Sequence, residues 1–189
     1  MRRLALLSIV LAAQLSASSA SAQGAYAVAS AGRTSWAYDC GQDGCRRDTA
    51  AWRVAAGYRF NRVIALEAFY VDFGRARSSG FLANGSLASS GAGAQALIGW
   101  QFGDVDLAGQ IGTAGLHNDF RAAATSSYSS SRVHSTEAIV GLMAAYRVTP
   151  RTSIRLDVDV ATAALNGDTL FYSRGSDMTS VQLGVMLRL

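Results

Sequence analysis

Between Trp52 and Gly74 the side chains alternate with a period of two on both sides of a connection too short to join anything but antiparallel neighbours. Trp52, Val54, Ala56, Tyr58 and Phe60 fall on one face, and Arg53, Ala55, Gly57 and Arg59 on the other. Asn61-Arg62 is expected to turn the chain. Ile64, Leu66, Ala68 and Tyr70 then continue the apolar face, opposed by Ala65, Glu67, Phe69 and Val71. One face of this hairpin is greasy and rimmed with aromatics; the other sets Arg53, Arg59 and Glu67 among small residues. A sheet in water would bury the first face and wet the second. A sheet in lipid does the reverse.

The pattern recurs along the chain. A first strand is expected from about Gly24 to Ser35, with Tyr26, Val28 and Ser30 against Ala25, Ala27 and Ala29. The hairpin supplies strands two and three. Strand four, Gly91 to Phe102, sets Ala94, Ala96, Ile98 and Trp100 against Gln95, Leu97, Gly99 and Gln101. Gly103-Asp104 turns it into strand five, about Val105 to Leu116, with Val105, Leu107 and Ile111 opposite Asp106, Ala108, Gln110 and Gly112. Strand six, Ser135 to Val148, has Val140, Leu142 and Tyr146 on one face and Glu137, Met143 and Arg147 on the other. After Thr149-Pro150, strand seven alternates most cleanly, Ile154, Leu156, Val158 and Val160 against Ser153, Arg155, Asp157 and Asp159. Strand eight ends the sequence, with Val181, Leu183, Val185, Leu187 and Leu189 against Gln182, Gly184, Met186 and Arg188.

The connections alternate between about two residues and long loops. The long ones are expected near residues 36–51, 74–90, 117–134 and 162–179, the third with the low-complexity run Thr125 to Ser131 and mobile. Eight antiparallel strands with short turns at one end and long loops at the other are the signature of a transmembrane β-barrel. Strands of about 10 to 12 residues suit the roughly 9 to 11 that cross a bilayer at a tilt. Closing the sheet pairs every backbone donor without leaving an edge in lipid. If Arg155, Asp157 and Asp159 faced lipid, the arginine alone would cost roughly 2–4 kcal/mol near the midplane, so the charged faces are assigned to the lumen. Tyr58, Phe60, Trp100 and Tyr146 then form an interfacial girdle near the short turns. An eight-stranded interior is just wide enough to be filled by side chains, so a plugged or very narrow lumen is expected.

The N-terminus agrees with that compartment. Arg2 and Arg3, an apolar run from Leu4 to Leu15 and the small residues Ala20-Ser21-Ala22 read as a secretory signal peptide over 1–22, leaving a barrel domain over 23–189. The apolar run falls short of the roughly 20 residues that a spanning helix needs. Without Arg2 and Arg3, 15 arginines face 13 acidic residues, a net charge of +2. That balance is no argument for nucleic acid. The chain has no lysine, which excludes Schiff-base and lysine-nucleophile chemistry.

The segments Trp52 to Asn61 (WRVAAGYRFN), Ala65 to Gly74 (ALEAFYVDFG) and Thr149 to Asp157 (TPRTSIRLD) resemble the transmembrane domain of the OmpA-like outer-membrane proteins. The resemblance covers essentially the whole chain after residue 22. It implies an exported, multi-pass barrel in a Gram-negative outer membrane, monomeric, with surrounding lipid, lipopolysaccharide and the barrel-assembly machinery as partners. It also implies a cluster of paired charges inside the lumen. Glu67 and Arg155 match its acidic and basic positions, with Asp157 two residues along the same face, whereas the positions on strands four and six align with Leu97 and Ala145. Gln182, Gly184, Leu187 and Leu189 resemble the terminal assembly signal, with leucine where relatives usually have a final phenylalanine.

Function is expected to be structural, with porin-like passage of small solutes through a narrow, mostly plugged lumen; the alternative is a surface adhesin or receptor acting through its loops. Arg46, Arg47, Arg75, Arg77, Arg121, Arg132 and Arg174 would serve the latter, since arginine suits bidentate phosphate contacts. Cys40 and Cys45 are expected to pair, because export takes them through an oxidising compartment. A barrel enzyme acting on lipid A is a third reading, with His117, His134, Ser135 and Glu137 as its conceivable set. His134 and Ser135 are adjacent in a strand and should point to opposite faces, which fails the geometry of a nucleophile and its base. No catalytic residue, metal site or cofactor is therefore assigned.

Overall fold

The computed structural model describes residues 23–37, 45–46, 48–79, 83–124, 127–163 and 176–189. Eight long strands are formed: β1 (Gly24–Ala37), β2 (Asp48–Arg59), β3 (Ile64–Ser79), β4 (Ala83–Phe102), β5 (Val105–Ala124), β6 (Ser127–Arg147), β7 (Thr152–Ala163) and β8 (Ser176–Arg188). Each pairs antiparallel with its neighbours in sequence, and β8 pairs with β1, so the sheet closes on itself. A two-residue segment, Cys45–Arg46, adds a short ladder to β3 at Ser78 and Arg77. Cys40 lies outside the described residues, and so does its pairing with Cys45.

The two faces fall as the alternation requires. Arg53, Glu67, Gln95, Asp106, Gln110, Arg155, Asp157, Asp159 and Gln182 are buried inside the barrel. Leu142 is 68% exposed, Trp100 63%, Ile111 60% and Leu183 60%, all on the outside. So large a band of exposed apolar side chains would drive association in water and is what a bilayer covers. Trp52 and Tyr70, 5.5 Å apart between ring centroids, mark one rim of the band. Tyr58 and Phe60, 5.1 Å apart, mark the other, at the short-turn end with Trp100, Phe102 and Tyr146.

Two of the short turns are longer than expected. Phe60 donates its N–H to Ile64 O at 3.0 Å, so Asn61, Arg62 and Val63 form the connection. The Asn61 side chain closes it by accepting the N–H groups of Val63 and Ile64, each at 2.8 Å. Val148 bonds Thr152 in the same way, leaving Thr149, Pro150 and Arg151. Of the three short turns only Gly103-Asp104 has two residues, and Gly103 supplies the φ of +61° that such a turn needs.

The larger correction lies at the other end. The sequence pattern predicts loops over 74–90 and 117–134, yet β3 runs on to Ser79, β4 begins at Ala83, β5 reaches Ala124 and β6 starts at Ser127. Backbone pairing continues without a break from Val105↔Tyr146 to Ala124↔Ser127. At 20 or 21 residues, β4, β5 and β6 are about twice the length a bilayer needs, so half of each stands in water. A register shift between Asp72 and Arg75 marks where β3 leaves the apolar band. There Gly74 adopts φ +79° and donates its N–H to Asp72 Oδ1 at 2.7 Å, a bulge that a side chain at Gly74 would obstruct against Ala50 O.

Candidate functional site

The lumen is filled in layers. The middle layer centres on Arg155, brought across the barrel from β7 to Glu67 on β3. Its Nη1 donates to Glu67 Oε1 and its Nη2 to Glu67 Oε2 at 3.1 Å, a bidentate pair. Its Nε bonds both oxygens of Asp157 at 2.9 Å, which is possible because i and i+2 of a strand share a face. Tyr26 donates to Glu67 Oε1 at 2.9 Å and Gln95 to Glu67 Oε2 at 2.8 Å. Gln95 also donates to Gln110, and Gln110 to Asp157 Oδ1 at 2.7 Å, which closes a ring around the guanidinium. Arg155, Glu67 and Asp157 are all but completely buried. Uncompensated charge in such an interior is costly, and this ring supplies the hydrogen bonds that offset it.

The sequence placed Glu67, Arg155 and Asp157 on the inward faces of strands three and seven but did not identify the rest of the ring. Leu97 and Ala145, the aligned positions on strands four and six, do point inward and are apolar. Their place in the network is taken one step along β4 and on β5, by the amides of Gln95 and Gln110. Both were on the inward face by parity, and a glutamine opposite a carboxylate was the available signal. Tyr26 was hidden because an inward tyrosine on a weakly patterned strand reads as filler.

Next to this ring Arg53 bonds Asp159 Oδ2 at 2.9 Å and stacks over Phe69, its Cζ 4.2 Å from the ring centroid. Gln182, on β8, accepts from Ser30 at 2.8 Å and donates to Ser180 at 2.9 Å. Gly184 lies on the same inward parity, whereas Leu187 and Leu189 are exposed. Toward the long-connection end apolar side chains predominate, with Trp36, Val71, Phe73, Leu87, Leu116 and Met178 buried and Thr34, Thr49, Ser89 and Asn118 buried beside them. Toward the short turns it opens into a cavity of about 760 Å³ ringed by Arg59, Arg62, Arg147 and Arg188, with Tyr26 and Met186 also lining it. Asp106, inward on β5, holds two of those arginines, Arg188 at 3.2 Å and Arg59 at 3.5 Å.

The conceivable catalytic set is split between the two faces of the sheet. His117 and His134 are exposed on the outer wall, while Ser135 faces inward and accepts from Asn118 at 3.1 Å. Glu137 is buried in the lumen. Of the arginines expected on loops, Arg75, Arg77, Arg121 and Arg132 stand on strands with exposed side chains. Arg46 is in the short ladder, and Arg47 and Arg174 lie outside the described residues.

This architecture matches known barrels. The structure resembles a major outer-membrane protein of Thermus thermophilus at 11% identity, covering 87% of this chain and 99% of that one, with a TM-score of 0.61. Neisserial surface protein A, NspA, is similar at 19% identity, with 89% and 99% covered and a TM-score of 0.59. Ail, the attachment invasion locus protein of Yersinia pestis, is similar at 14% identity, with 90% and 100% covered and a TM-score of 0.58. No curated protein matches the sequence significantly. The model of the OmpA-like transmembrane domain matches residues 20–189, and the chain belongs to that family of outer-membrane β-barrels.

Proposed function

We propose that the protein is a sealed, monomeric barrel with a structural role in the outer membrane, reached by export with a cleaved signal peptide and insertion by the barrel-assembly machinery. The observation that carries this reading is the filled lumen. A permeating solute would have to break the ring around Arg155 and then displace the apolar plug of Trp36, Phe73 and Leu116. The two barriers differ in kind, so no single rearrangement of ion pairs opens both. Solute passage in the porin sense is the weaker reading on this account, and no enzymatic group is assigned.

A second reading is favoured by the strand extensions. Arg77 and Arg121 are both paired with Ser86 of β4, and Arg75 and Asp119 with Ala88, with Arg132 opposite Asp119, which sets four arginines on neighbouring rungs just beyond the apolar band. Guanidinium groups there stand at the level of lipopolysaccharide phosphates, and a rigid sheet holds them better than loops would. The protein would then also be a surface receptor or adhesin.

Conductance of the refolded protein in a planar bilayer tests the first reading, with folding checked by the heat-dependent gel shift of an intact barrel. A silent bilayer for the wild type, and also for Glu67→Ala, is expected, because the apolar plug remains. Discrete openings in the wild type would overturn the sealed reading.

A further inference from the structure

We propose that His117 on β5 and His134 on β6 form a two-imidazole site for a divalent transition-metal ion on the outer wall, just beyond the membrane. The two residues are direct cross-strand partners. Arg147 donates its N–H to Asp104 O at 2.8 Å, which makes that rung the hydrogen-bonded kind. Rungs alternate in kind along an unbroken antiparallel ladder, and His117 lies an odd number of residues from Asp104. The His117–His134 rung is therefore the non-hydrogen-bonded kind, in which opposing side chains come closest. Accordingly the ring centroids are 4.2 Å apart, in an edge-to-face contact of 75°.

Both imidazoles are exposed, and neither makes an ion pair with a neighbouring carboxylate among the described residues. The nearest acidic group along β5 is Asp119, on the next rung of the same face, and Arg132 already holds its carboxylate at 2.9 Å. That rung is internally neutralised. Asp72 of β3 shares the histidine rung through Ser90 of β4, two strands away, and its Oδ1 accepts the Gly74 N–H. Metal–nitrogen bonds of about 2.0–2.1 Å at a tetrahedral centre put the two nitrogens about 3.3 Å apart, which rings already in contact reach by side-chain rotation alone. Imidazole suits zinc, copper and nickel rather than calcium or magnesium. Among the described residues no group of three or more His, Cys, Asp or Glu side chains is placed to hold a metal. The site is thus open, with water completing the coordination and the ion exchangeable. It staples β5 to β6 where they leave the bilayer.

The test is calorimetric titration of Zn²⁺ into the refolded, untagged barrel in chelator-free detergent, beside His117→Ala and His134→Ala. One equivalent is expected to bind, and each substitution should weaken it about tenfold or more, since even losing a group that merely supports a ligand has an effect of that size. Thermal unfolding should shift upward with Zn²⁺ in the wild type and in neither variant, because a ligand of the folded state alone stabilises it. Absence of stoichiometric binding by the wild type, or binding and stabilisation equal in both variants, would overturn the site.

Discussion

Two of the arginine–carboxylate pairs that reach between strands live in opposite environments. Arg155 and Glu67 meet in the lumen with side chains 1% and 0% exposed; Arg132 and Asp119 meet on the outer wall beyond the bilayer, 72% and 44% exposed. The first pair is one part of a ring of Tyr26, Gln95, Gln110 and Asp157; the second is a single hydrogen bond between exposed groups. The same chemistry is therefore indispensable in one place and dispensable in the other. What differs is whether water can take over when a partner leaves. Inside, nothing replaces the guanidinium, so the carboxylates are left without a counter-charge.

The largest break in that comparison is Arg155→Ala. It leaves Glu67 and Asp157 buried without their cation, a change that costs about 3–5 kcal/mol for a buried pair. The urea midpoint of the barrel in detergent should fall accordingly. Replacing Glu67, Arg155 and Asp157 together by apolar side chains of similar volume should recover part of the loss, since well-packed apolar side chains can stand in for a buried ionic triad. A single Arg155→Ala that unfolds like the wild type would mean that water reaches the ring.

A smaller effect separates lumen from outer wall by volume rather than charge. Gly141 faces the lumen, and a Cβ there would meet Asp159 Oδ1 at 2.3 Å and Val158 O at 2.6 Å. Gly141→Ala must shift the Asp159 carboxylate that Arg53 holds, and overpacking of this kind costs about 1–3 kcal/mol. Gly109 faces lipid, where a Cβ meets nothing nearer than Ile98 O at 3.9 Å. Gly109→Ala should leave the unfolding midpoint where it was. Equal effects from the two alanines would remove the distinction between a packed lumen and an open outer face.

How legible each region was in the sequence follows the same divide. Inside the membrane the contrast between the two faces is forced: Ile154, Leu156 and Val158 must meet lipid, and Arg155 and Asp157 must not. A period of two is then written in hydrophobicity, and it located the eight long strands and the inward facing of Arg53, Glu67, Arg155, Asp157 and Asp159. Beyond the bilayer both faces of the extensions tolerate small and polar residues, as in Ala83 to Ser90 or the serines before Arg132. Nothing in such a stretch alternates strongly, so it reads as loop. The strands persist there because the ladder begun in lipid propagates by backbone hydrogen bonds that carry no side-chain signature. For the same reason the rung that joins His117 to His134 could be found only after the register was known. The lumen ring was half legible, because a charge must be placed while a neutral partner such as Gln110 is optional until its neighbour is seen.

The smallest expected effect belongs to the exposed pair. The hydrogen bond from Arg132 holds the Asp119 carboxyl below the ordinary carboxylate range, with the charges of Arg132, Arg121 and Arg75 adding to it. A carboxyl depressed in the folded state stabilises at neutral pH, and that contribution is lost as the pH falls below the ordinary carboxylate range and through the lowered value. Because both side chains are open to water, the contribution is small and screened by salt. Asp119→Ala should shift the unfolding midpoint slightly at low ionic strength and pH 7, and not at all in 1 M salt, where the Debye length falls to about 3 Å. The shift should also vanish in acid, where the wild type has itself lost the charge. Arg155→Ala should instead remain destabilising in high salt, since ions do not enter the lumen ring to screen it. A salt dependence shared by the two variants would place the Arg155 ring in contact with bulk water and leave the apolar plug as the barrier that seals the barrel.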